Sequence, residues 1–122
     1  IGAVNVIDTT APEDVDREIE KLLNEYNSKI NITLEDIVDF HFIFEKIHPF
    51  GDGNGRVGRI IMFKECLRNN IMPFIVSDDN KAYYMRGLKE YKNDKMFLID
   101  TIGHEQDSYE KVCEKLLSFE IN

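Results

Sequence analysis

One stretch concentrates the side chains that could do chemistry. Residues 48 to 59 read His-Pro-Phe-Gly-Asp-Gly-Asn-Gly-Arg-Val-Gly-Arg. His48 can accept a proton near neutral pH. Asp52 is a hard oxygen ligand of the kind magnesium takes alongside substrate phosphates. Gly51, Gly53 and Gly55 let backbone N–H groups approach an anion closely. A helix starting here would add its first N–H groups and the positive end of its dipole, completing an anion site. Arg56 and Arg59 are three apart and so share a face of that helix. Their guanidinium groups can neutralise phosphate oxygens, with the option of bidentate contact. A base, a metal carboxylate and an anion cradle together suit phosphoryl or nucleotidyl transfer. No Gly-Lys-Ser/Thr follows the glycines and no strand precedes them, which excludes the Walker A and dinucleotide-binding fingerprints.

The flanking sequence supplies the elements that must position this stretch. Ile37, Phe40, Phe44 and Ile47 have helical spacing, and Pro49 should stop that helix by pushing His48 out of the α region. Ile60, Ile61, Phe63 and Leu67 resume a helical pattern, so a second helix is expected from about Gly55 to Arg68. Thr33 is the cap of the first of these helices, with Glu35 and Asp36 in its opening turn. Leu34, Val38, Phe42 and Ile43 make that helix apolar on most faces, the mark of a central element. His41, two turns before His48, reads as a core histidine, and Glu45 and Lys46 as solvent-facing.

Upstream, Thr10-Ala-Pro-Glu13 has the form of a capping box with proline in the first turn. The helix it opens should bury Val15, Ile19, Leu22, Leu23 and Tyr26. Residues 2 to 8 are short, β-branched and partly alternating, and read as an extended segment. Downstream, Asn69-Asn70 ends the motif helix and Ile71 to Val76 is an apolar connector. Ser77-Asp78-Asp79-Asn80 is rich in capping residues. A helix from about Asn80 to Lys92 should carry Tyr83, Tyr84, Leu88 and Tyr91. A last helical region, Met96 to about Phe119, is divided in two at Gly103. The expected fold is all-α, a compact bundle of about six helices with a short β-hairpin flap near the N-terminus.

Composition narrows the setting. The chain has 122 residues, the size of one domain, and 43% of them are hydrophobic, enough for a core. Its formal net charge is −8, so it gains nothing from the phosphate attraction that supports nucleic-acid binding. A nucleotide would need positive charge concentrated locally, as Arg56 and Arg59 provide. Cys66 and Cys113 have no CxxC spacing and read as reduced thiols in a cytoplasmic-type protein. No long apolar run suggests a membrane span, and no signal peptide is visible. The sequence opens on Ile1, which reads as a piece of a longer chain.

The string at 48 to 59 resembles, at every fixed position, the signature of the Fic (filamentation induced by cAMP) family, His-Pro-Phe-x-Asp/Glu-Gly-Asn-Gly-Arg-x-x-Arg. The resemblance extends over most of the chain, a single Fic domain of residues 1 to 122, although its specificity lies in the motif. It implies a protein adenylyltransferase that moves AMP from ATP to a Ser, Thr or Tyr hydroxyl of a target protein and releases pyrophosphate. His48 would be the general base. Asp52 would hold Mg2+. Asn54, with the backbone N–H groups of Gly53 and Gly55, would cradle the α-phosphate, and Arg56 and Arg59 would bind the β- and γ-phosphates. Phe50 would anchor the loop in the core. Tyr84, with Tyr83 second, would flank the adenine, although Met85 departs from a family tyrosine pair.

The family also implies a target-binding flap over residues 1 to 9, holding the target by strand addition through Ala3, Val4, Asn5 and Val6. Many members are restrained by a helix bearing Ser/Thr-x-x-x-Glu-Gly/Asn, whose glutamate pairs with the second motif arginine, here Arg59. Thr101-Ile-Gly-His-Glu105 has the first part of that spacing, but Gln106 follows. The restraining helix is therefore expected N-terminal to Ile1 or on an antitoxin-like partner. Members often self-associate as homodimers. The alternatives left open are a relative with kinase, phosphocholine-transfer or de-AMPylating chemistry, and a nucleotide-binding regulatory module without turnover. The unaltered string from Asp52 to Arg56 argues against the first group.

Overall fold

The computed structural model describes residues 9–119. Among them are five α-helices, short 3₁₀ turns at Pro12–Asp14 and Asp78–Asn80, and no strand. The helices are α1 (Val15–Asn27), α2 (Leu34–Ile47), α3 (Asn54–Arg68), α4 (Lys81–Glu90) and α5 (Lys95–Leu117). The all-helical expectation holds, but about six helices become five. α5 runs through Gly103 without a break, since one helical glycine costs only about 1 kcal/mol against alanine and can be tolerated. The expected flap over residues 1 to 9, with Ala3, Val4, Asn5 and Val6, lies outside the described residues except for Thr9. The chain divides into two compact units, one ending at Ile71 and the other beginning at Met72.

The first unit is α1, α2 and α3, with α2 packed against both of the others. α2 begins with a complete capping box: the Thr33 hydroxyl accepts from the Asp36 N–H, and the Asp36 carboxylate accepts from the Thr33 N–H. These bonds, led by the one from the Thr33 backbone, hold the Asp36 carboxyl below its ordinary range. The box expected at Thr10 does not form. Ala11 takes the cap position without a side-chain bond, and the Thr10 N–H donates instead to the Lys46 carbonyl, 3.0 Å away near the end of α2.

The core of this unit is Leu22, Tyr26, Phe40, Phe44 and Ile47, with Val15, Ile19, Ile32, Val57 and Ile61 packed around it. Each large side chain fully buried here contributes roughly 1.5–3 kcal/mol. Tyr26 meets Phe40 edge-on at 5.0 Å, and Phe40 stacks on Phe44. Leu23 and Ile43, expected in the core, are exposed. Each lies beside the buried stripe of its helix, where periodicity alone cannot set the edge of the stripe.

Glu65 is buried beneath this core and was not foreseen there. Its carboxylate accepts the Tyr26 hydroxyl at 2.8 Å, with Lys64 and Arg68 at 3.4 and 3.6 Å. Burial works to raise its pKa, but the Tyr26 bond and the two cations outweigh it, so the group lies below its ordinary value. A depressed carboxyl contributes stability that is present above the unfolded pKa and is lost as pH falls through the folded one. Tyr26→Phe should therefore destabilise the chain by about 1–2 kcal/mol at pH 7 and by less below the carboxylate range. Urea unfolding of both proteins at neutral and acid pH checks this, and an equal loss at both would show that the bond adds nothing to the ionised state.

The second unit is α4 packed on α5. Tyr84, Leu88, Tyr91, Leu98 and Ile102 are buried in it. The helices come closest at Gly87, where an added Cβ would stand 2.8 Å from the Leu98 Cβ and 2.9 Å from its Cα. The backbone cannot give way there as a flexible side chain could. Gly87→Ala should lower stability by about 1–3 kcal/mol despite the better helix propensity of alanine. A melting temperature that rose instead would show that α4 and α5 do not pack this closely.

Glu105 is buried in the second unit, where its carboxylate accepts from the Ser77 N–H and the Asn80 side-chain amide. It ties the turn before α4 to α5. The carboxylate of the Thr101-x-x-x-Glu105 sequence is thus occupied by structural bonds within its own unit.

Candidate active site

The motif leaves α2 at His48 and enters α3 at Asn54. His48 donates its N–H to the Phe44 carbonyl at 3.0 Å and adopts the left-handed conformation, φ 54° and ψ 60°. Proline at 49 does bar the helical conformation, as expected, but the residue turns left-handed and not extended. Non-glycine residues held there store local strain, and such residues cluster at functional sites. His48 is exposed.

Between the helices the loop is clamped by Asn54. Its side-chain oxygen accepts the Phe50 N–H at 2.9 Å, and its amide donates to the Phe50 carbonyl at 2.7 Å. Asn54 is itself buried. The carboxamide expected to cradle phosphate is thus bonded to the Phe50 peptide of the loop. The Phe50 ring lies 6.3 Å from that of Phe44, yet Phe50 is 47% exposed, so it braces the loop at the edge of the core and not within it.

Gly53 has φ 80°, a conformation that favours glycine, and forms the cap of α3 without a side-chain bond. Its own N–H donates to Asp52 Oδ1 at 2.8 Å. The opening N–H groups of α3, from Asn54 to Arg56, have no intrahelical acceptor by helix geometry and bring the positive end of the dipole with them. Gly51 and Asp52 are exposed and Gly55 is half-buried. The two arginines differ: Arg56 is exposed and Arg59 half-buried, lying over Gly55.

For a divalent cation the donor set is narrow. Among the described residues no three His, Cys, Asp or Glu side chains gather as a metal cluster. Asp52 is one exposed carboxylate, which fits an ion that takes one or two protein carboxylates and completes its shell with phosphates and water, as magnesium does.

Of the tyrosines expected at the base, Tyr84 is 1% exposed within the second unit, whereas Tyr83 is 56% exposed on α4. Tyr83 is the ring of the pair with a face open to stacking. Glu45 is solvent-facing by its sequence context, but its side chain is only 12% exposed. His41 and Glu45 are four apart and so share one face of α2, a signal present in the sequence.

The chain matches the model of the Fic/DOC family over residues 5–66, which contain α1, α2, the whole motif and most of α3. The chain belongs to the Fic/DOC family. Among curated proteins this Fic chain is 33% identical over 77 residues to a probable protein adenylyltransferase, aq_aa38, of Aquifex aeolicus (strain VF5). That match covers 63% of the chain and 23% of the relative. It is 27% identical over 81 residues to protein adenylyltransferase fic-1 of Caenorhabditis elegans, covering 64% of the chain and 16% of the relative. The Fic chain thus spans a quarter or less of the length of the curated relatives it matches. Among its described residues no helix is long and apolar enough to cross a membrane.

Proposed function

We propose that this Fic chain is a protein adenylyltransferase, transferring AMP from ATP to a Ser, Thr or Tyr hydroxyl of another protein. The observation that carries this reading is the motif geometry: an exposed left-handed His48, a loop clamped by Asn54, and the open N-terminus of α3 bearing both arginines. The names of the relatives support the same reaction.

His48 accepts the proton of the target hydroxyl as its oxygen attacks the α-phosphorus. A new oxygen–phosphorus bond forms, the bond to the β-phosphate breaks, and pyrophosphate leaves. The backbone N–H groups of Asn54 and Gly55 face the α-phosphate oxygens, fixed in advance by the Asn54 clamp. Arg56 and Arg59 hold the β- and γ-phosphates and stabilise charge on the departing group. Asp52 would hold Mg2+, which when bound neutralises phosphate charge. Tyr83 and Tyr84 are the candidates to flank the adenine; Tyr83 has the exposed ring, whereas Tyr84 is buried within the second unit. The target is held by the flap at Ala3, Val4, Asn5 and Val6 through main-chain bonds, which would tolerate varied target sequences. Restraint of Arg59 falls to a helix outside this sequence or on a partner chain, since Glu105 is committed elsewhere.

The test is to incubate the chain with ATP, Mg2+ and cell lysate and search tryptic peptides for an added adenylyl group. Adenylylated Ser, Thr or Tyr peptides that depend on the chain support the reading. Phosphorylated peptides alone, or no modification while ATP binds, would overturn it.

A further inference from the structure

Two residues behind the base, on the same face of α2, look onto α3. A Cβ on Gly58 would stand 2.9 Å from both Cε1 and Nδ1 of His41, so the imidazole fills the space that glycine leaves. A Cβ on Gly55 would stand 2.9 Å from Arg59 Nη1 and 3.5 Å from Glu45 Oε1. Guanidinium and carboxylate therefore converge on one point above the first turn of α3. Glycine at 55 is what lets Arg59 fold back to it. Any larger residue would displace the guanidinium.

The charges fit this arrangement. His41 Nε2 lies 4.0 Å from Glu45 Oε1, but His41 is not its cation. Burial, assisted by the charge of Arg59, pushes the His41 pKa down to about 3, so the ring is neutral at physiological pH. Burial likewise raises the Glu45 carboxyl, and Arg59 is the charge that draws it back. Lys46 follows on the sequence yet lies by the first turns of α1, lining a different groove with Arg17 and Lys21.

We propose that Glu45 is a positioning residue for Arg59, holding one edge of its guanidinium over Gly55 so that the other edge meets the β- and γ-phosphates. The inference rests on the reading of Arg59 as a polyphosphate ligand. It makes discrimination between a nucleoside triphosphate and a monophosphate depend on a carboxylate that touches neither. Holding the guanidinium in advance removes part of the ordering entropy that binding would otherwise cost.

The experiment is equilibrium binding of ATP and of AMP, each with Mg2+, to the wild-type chain, Glu45→Gln, Arg59→Ala and the double variant. Glu45→Gln should weaken ATP by about tenfold, the worth of one hydrogen bond to a charged group, and leave AMP within about twofold. The double variant should bind ATP no more weakly than Arg59→Ala, because the two residues act as one unit. Equal losses for ATP and AMP would show a merely structural role and overturn the inference. So would tighter ATP binding, or a further loss in the double variant. If Glu45→Gln does not fold, Glu45→Asp, which withdraws the carboxylate by one methylene, should show the same ATP-selective loss. Arg59→Ala with unchanged ATP affinity would instead overturn the parent reading and this inference with it. Failure confined to Glu45 leaves the parent reading standing.

Discussion

His48→Ala should reduce AMP transfer by about 10²–10⁴-fold while leaving ATP affinity and thermal stability nearly unchanged. The separation follows from where the residue sits. His48 is exposed and lies outside the core of Leu22, Tyr26, Phe40, Phe44 and Ile47. Its backbone bond to Phe44 survives truncation of the side chain. Its left-handed conformation is uncomfortable for alanine as well, by roughly 1–2 kcal/mol, so no stability is gained by removing the ring. The groups proposed to hold phosphate, the opening N–H groups of α3 with Arg56 and Arg59, all lie C-terminal to it and are untouched. A kinetic comparison at saturating ATP, beside a binding isotherm, checks the prediction. Loss of ATP affinity in His48→Ala would mean that the ring helps to hold nucleotide and is not chiefly a base.

Asn54→Ala should affect both stability and rate. The side chain satisfies both polar groups of the Phe50 peptide, at 2.9 and 2.7 Å, from a buried position. Removing it breaks two bonds and leaves a donor and an acceptor partly covered, a loss of about 2–4 kcal/mol. The larger consequence is geometric. Gly51, Asp52 and Gly53 are held between Phe50 and Asn54, and an active-site group displaced by about 1 Å can cost about 10²-fold in rate. AMP transfer, measured where the variant is still folded, should therefore fall by on the order of 10²-fold beyond what unfolding accounts for. Denaturant titration gives the stability and single-turnover transfer gives the rate. A variant that lost stability but kept its full rate would show that the clamp supports only the fold.

The legibility of the fold varied with the range of the interactions. Local signals were read well. The box at Thr33 and Asp36, the stop before Pro49 and the end of α3 at Asn69 and Asn70 all depend on residues within a few positions. Asn70 indeed takes φ 58°, the conformation that closes such helices. The similar box at Thr10 failed because a long-range partner, the Lys46 carbonyl, claimed its N–H. The site followed the same division. The motif string brings His48, Asp52, the glycines and both arginines onto one loop and the first turns of the helix it enters. It did not show that the Asn54 amide turns inward, because that depends on loop geometry. Nor did it place Glu65 and Glu105 in buried positions or Glu45 in a half-buried one. Charged residues are seldom buried unless paired, and besides Lys64 and Arg68 beside Glu65 the groups that face them, Arg59, Tyr26, Ser77 and Asn80, lie 14 to 39 residues away. Tyr83 and Tyr84 are neighbours on one helix, and only packing against α5 could decide which ring goes inside.

The most direct test is a paired labelling experiment: the chain with Mg2+ and lysate, given ATP labelled at the α-phosphate or at the γ-phosphate, with His48→Ala in parallel. Adenylyl transfer predicts protein-bound label from the α-position only, abolished in His48→Ala, with pyrophosphate released in step. Protein-bound label from the γ-position, or α-label undiminished in His48→Ala, would contradict the assignment of the reaction and of its base.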